Sequence, residues 1–79
     1  MKVKFNEISG IMDFINKGRT LYSDITVHSD HRYVVDGKSL MGLLSLDLAK
    51  PLRIEFIEKK DGEESDFTIF CKKLGILLD

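Results

Sequence analysis

The segment LRIEF alternates Leu52, Ile54 and Phe56 with Arg53 and Glu55, the period-two pattern of a strand buried on one face and wet on the other. The pattern recurs along the chain. KVKF sets Val3 and Phe5 against Lys2 and Lys4, and SDITVHSD turns Ile25 and Val27 inward. After a polar turn at Ser29 and Asp30 the chain returns through HRYVV, which predicts an antiparallel hairpin. Strands that each present one apolar and one polar face predict a single antiparallel sheet with one solvated side. Every helix must then lie on the other side, because a helix on the outer face would meet Lys, Asp, Arg and Glu instead of a core.

The intervening segments read as helices. Asn6 is placed to cap a helix whose Ile8, Ile11, Met12 and Ile15 share one face, with Lys17 and Gly18 as its stop. A second, short helix is expected from about Ser39 to Leu46, ended before Pro51. Asp61 and Glu64 have capping-box spacing ahead of a third helix, with Phe67, Phe70, Cys71 and Leu74 as its stripe and Gly75 as its end. The expected class is α+β: an open-faced two-layer β-sandwich in βαββαβα order, a four-stranded antiparallel sheet with three helices on one face. Residues 1–79 are expected to form one domain, since a chain of this length can bury a single core.

Composition narrows the function classes. Twelve basic residues nearly cancel thirteen acidic ones, so no field of one sign favours nucleic acid or an anionic membrane as partner. No apolar run approaches bilayer length. The lone Cys71 cannot form an internal bridge, and MKVKF lacks the apolar core of a secretory signal; together these lead to an expectation of reducing cytosol.

The second helix holds more apolar residues than one face needs. Leu40 and Leu43, with Leu44 or Leu48, suffice to cover the inner side of so short a helix, which leaves Met41 and one further leucine over. Surplus Met and Leu at solvent form an adaptable patch of the kind that marks docking surfaces; neighbouring loops could equally cover them. Ser39, at the helix start, can accept from a free backbone N–H there. A phosphate added to its hydroxyl would sit at the positive end of the helix dipole.

KSLMGLLSL (Lys38 to Leu46), preceded by SDITV and followed by a strand, closely resembles the middle of HPr, the phosphocarrier of the bacterial sugar phosphotransferase system. KSLMGLLSLDLAK looks most like the HPr-family proteins of Firmicutes, and the resemblance is strongest over the middle half of the chain. It implies an HPr-like fold, a regulatory phosphoacceptor at Ser39 and a protein-binding surface at Leu40, Met41 and Leu44. The partners it implies are HPr kinase, a transcription regulator or an Enzyme I-like protein. No cofactor and no metal are implied.

The family's phosphoryl-accepting histidine has no counterpart. HPr carries it in a Gly-Ile-His-Ala-Arg-Pro-like segment, whereas this chain reads NEISGIMDFINK, with Met12 at the histidine when Gly10 and Ile11 are matched to the family's pair. A thioether cannot carry phosphate, no arginine or proline follows at the matching positions, and Glu7 and Asp13 would repel a phosphoryl group. The expected function is therefore a non-enzymatic, regulatory binding module similar to the catabolite-repression HPr-like protein, switched by serine phosphorylation. Two alternatives stay open: a carrier using His28 or His31, and an unswitched domain that forms a homodimer through the spare helix face. His28, Asp30 and His31 could also form a metal cluster, although solvated turn residues explain them as well. Cys71 reads as a small core residue, and Glu58 to Glu64 as a charged loop.

Overall fold

The computed structural model describes residues 1–30 and 33–78. Its elements follow in the order β1 (Lys2–Val3), α1 (Ile8–Gly18), β2 (Asp24–His28), β3 (Val34–Asp36), α2 (Leu40–Leu44), β4 (Leu52–Ile57) and α3 (Glu63–Leu74). The strands form one antiparallel sheet in spatial order β1-β4-β2-β3. Lys2 pairs with Arg53, Arg53 with His28 and His28 with Val34, so one row crosses all four strands. Alternation fixes this register, because slipping by one residue would drive Arg53 and Glu55 inward in place of Leu52, Ile54 and Phe56.

The inner face of the sheet presents Val3, Ile25, Val27, Leu52, Ile54 and Phe56 to the helices. Phe14 and Phe67 lie at the centre of the core with their ring centroids 4.9 Å apart, edge to face. Phe5 meets Phe14 at 5.3 Å and Phe56 meets Phe67 at 5.7 Å, both edge to face, so α1, α3 and the sheet share one aromatic cluster. Cys71 is wholly buried, and burial pushes its thiol up to about 12, which leaves an inert core sulfur. Among the described residues no helix is long and apolar enough to cross a membrane.

Both long helices start differently from the sequence expectation. Glu7, not Asn6, occupies the N-cap of α1, and no side chain caps it. The buried stripe is Ile11, Phe14, Ile15 and Gly18, whereas Ile8 and Met12 are exposed. The two stripes share Ile11 and Ile15; the larger Phe14 ring turns the helix toward the aromatic cluster. At α3, Gly62 in a left-handed conformation (φ 85°) takes the N-cap in place of the expected Asp61 box. Glu63 instead reaches across to Ser23: one carboxylate oxygen accepts from the Ser23 amide at 2.8 Å and hydroxyl at 2.6 Å, the other from the Tyr22 amide at 3.0 Å. The Ser23 hydroxyl in turn accepts from the Lys60 amide at 3.0 Å, so this buried serine is satisfied. The Ser23 hydroxyl is the main cause holding the Glu63 carboxyl at about 2, with burial opposing and the two amides assisting.

Beyond α3 the chain adds an interaction that periodicity does not reveal. Leu77 bridges to Val3, the Lys4 amide donates to the Ile76 carbonyl at 2.9 Å and the Leu78 amide to the Lys2 carbonyl at 3.0 Å. The tail thereby covers the edge of β1 that β4 does not occupy.

Candidate functional site

The site is built on the tight passage from β3 into α2. The Gly37 amide donates to the Ile25 carbonyl at 2.8 Å, and a Cβ on Gly37 would stand 2.6 Å from the Ile25 side chain, so only glycine permits this approach. Asp36 organises the next step: its carbonyl accepts from the Ser39 amide at 3.1 Å and its carboxylate from the Lys38 amide at 2.9 Å. Ser39 emerges in an extended conformation, the geometry an N-cap requires. Its Oγ accepts from the Gly42 amide at 3.1 Å, and its carbonyl from the Leu43 amide at 3.0 Å. Ser45 ends the helix, its hydroxyl donating to the Gly42 carbonyl at 2.6 Å.

Five residues form α2, and only Leu43 among them is fully buried, joined by Leu46 just beyond the helix. Leu40 and Leu48 are half-buried and pack against the core. Met41 is 84% exposed and Leu44 51% exposed. The surplus anticipated from the sequence is therefore Met41 and Leu44, with Leu48 the leucine that turns inward. Ser39 itself is half-buried, and the end of α1 reaches the carbonyl of the preceding residue through Arg19.

The charges around Ser39 are mixed in a specific way. No acidic residue stands in the first turn of α2. Arg19, the C-cap of α1, donates through Nε to the Lys38 carbonyl at 3.3 Å, and Lys38 Nζ donates to the Leu21 carbonyl at 2.9 Å. Sequence patterning overlooked Arg19, which lies outside every motif and reaches Lys38 only through tertiary packing.

The N-terminal end of α1 lacks the elements of a phosphohistidine site. Glu7 and Ile8 line a shallow groove with Phe5, Ile11, Leu48 and Ala49, and Met12 is partly exposed on the following turn. His28 lies in β2, its Nε2 2.9 Å from Thr26 Oγ1 and 3.3 Å from Glu55 Oε2. Arg53 shares that Glu55 oxygen at 3.1 Å. His31, one of the two histidines open to the carrier reading and a member of the metal cluster, lies outside the described residues. Among the described residues no three of His, Cys, Asp and Glu gather in a metal-holding group.

Fold and site thus define a small α+β protein with a half-covered antiparallel sheet and an exposed apolar turn beside a capping serine. Comparison with family models, curated proteins and solved structures yields no match.

Proposed function

We propose that this chain is a regulatory protein-binding module of the HPr type, acting in the bacterial cytoplasm, without phosphohistidine carrier activity and switched by phosphorylation of Ser39. Met41, Leu44 and the accessible part of Leu40 form the contact surface. The observation that carries this reading is the exposure of Met41 and Leu44 directly after a serine that caps their helix. The βαββαβα element order and the half-covered sheet support the HPr-like assignment. Lack of any histidine in α1 supports the loss of relay.

In the switch, Ser39 Oγ attacks the γ-phosphorus of ATP on an HPr-type kinase. The bond to the β-phosphate oxygen breaks, ADP leaves, and the hydroxyl proton passes to a base of the kinase. The phosphate places about two negative charges beside an apolar surface, where an arginine of a transcription regulator or Enzyme I-like partner can pair with it.

Incubating the chain and its Ser39→Ala variant with HPr kinase and ATP, followed by intact-mass measurement, tests the proposal. One phosphoryl increment on the parent chain and none on the variant is expected. An unmodified parent chain together with a concentration-dependent mass in sedimentation would replace it with the homodimer reading. Acid-labile addition from phosphoenolpyruvate and Enzyme I would restore a carrier role.

A further inference from the structure

Resting on the reading of Ser39 as a phosphoacceptor, we infer that Arg19 is the intramolecular partner of the Ser39 phosphate, tying the end of α1 to the start of α2. The carbonyl that accepts from Arg19 Nε at 3.3 Å belongs to the Lys38–Ser39 peptide bond, so the guanidinium is held one residue from the modified side chain. The joint is clasped in the reverse direction as well, because Lys38 Nζ donates to the Leu21 carbonyl at 2.9 Å. Gly18 is buried there, and a Cβ on it would stand 3.8 Å from the Lys38 stem and 3.4 Å from Ile25, in ordinary contact.

A guanidinium carries five N–H donors in a planar fork, of which this contact uses one. Among the described residues Arg19 forms no ion pair with a carboxylate. Asp36 is the nearby acid in the turn, and one oxygen of its carboxylate accepts from the Lys38 amide at 2.9 Å. Lys38 has its ammonium turned to the Leu21 carbonyl in the loop between α1 and β2, which leaves Arg19 as the cation suited to a bidentate contact with phosphate. Pairing in this manner would fix the phosphate beside Met41 and stiffen the junction of the two helices.

The test uses the full chain with phosphoserine installed at position 39 by semisynthesis, so no kinase is involved. The second phosphate pKa is followed by ³¹P NMR, and thermal unfolding is recorded with and without the phosphate, for the parent chain, Arg19→Gln and Arg19→Lys. In the parent the phosphate pKa should lie below the value of about 6 for an unpaired phosphoserine, and Arg19→Gln should return it there. Phosphorylation should raise the parent Tm by about 4 °C and leave that of Arg19→Gln unchanged, with Arg19→Lys intermediate. An unphosphorylated Arg19→Gln chain that melts close to the parent shows that the fold is intact. Raising salt on the phosphorylated parent gives a second measurement free of substitution, and should move the phosphate pKa upward. Equal phosphate pKa values in parent and Arg19→Gln would overturn the pairing, whereas failure of the kinase to modify Ser39 would leave it standing and remove only the regulatory reading.

Discussion

Helices α1 and α2 both follow a strand and both carry a majority of apolar residues on their covered side, yet they use them differently. Over eleven residues α1 buries Ile11, Phe14 and Ile15 and joins the aromatic cluster. Over five residues α2 buries Leu43 alone and leaves Met41 and Leu44 in solvent. A five-residue helix cannot hold itself, because nucleation is costly and few hydrogen bonds follow. Its position comes from the turn at Gly37, the Ser39 cap and the Leu43 and Leu46 anchors. Packing accounts for the buried stripe of α1, with Ile8 and Met12 left outside it; for α2 it accounts for the anchors and leaves Met41 and Leu44 without a role in the interior.

The contrast can be broken first at its extremes. Phe14→Ala should destabilise by about 3–5 kcal/mol, and Leu43→Ala by about 2–5 kcal/mol, in urea unfolding. If Leu43→Ala were nearly neutral, α2 would not be anchored as described. Next in size is the polar tie of α3: Ser23→Ala removes a buried hydroxyl that serves both Glu63 and the Lys60 amide, and should cost about 1–3 kcal/mol. Glu63 gives this tie a pH signature. Its folded pKa of about 2 lies below the ordinary value of about 4.3, so its stabilisation is fully present above that ordinary value. Stabilisation from this group is lost as pH falls toward 2, and Glu63→Gln should flatten stability across that window in acid titrations followed by circular dichroism. Smaller again, Ser39→Ala should cost about 1 kcal/mol through loss of the cap, with Ser39→Asp recovering most of it.

The sheet was legible because period-two alternation is a statement about faces: Leu52, Ile54 and Phe56 turn inward as the pattern requires, and so do Val3, Ile25 and Val27. The excess of apolar residues on α2 was legible for a related reason, since a short helix has a countable inner face. Helix starts were not. Asn6 and Asp61 are capable caps, but tertiary contacts place Glu7 and Gly62 at those positions, and Glu63 is drawn to Ser23 forty residues earlier in the chain. Ile8 fits the α1 stripe as well as Phe14 fits a rotated one, and only the aromatic cluster decides between them. Arg19 was invisible because its contact with Lys38 depends on how α1 ends against the β3–α2 turn.

The most direct test is equilibrium urea unfolding of a Met41→Ser, Leu44→Ser double variant beside the parent chain. Residues kept for another molecule should be dispensable to the fold, so the double substitution should change stability by no more than about 1 kcal/mol, with the m-value unchanged. A loss of several kcal/mol, comparable to truncating Leu43, would show that these side chains serve the interior and would contradict the account.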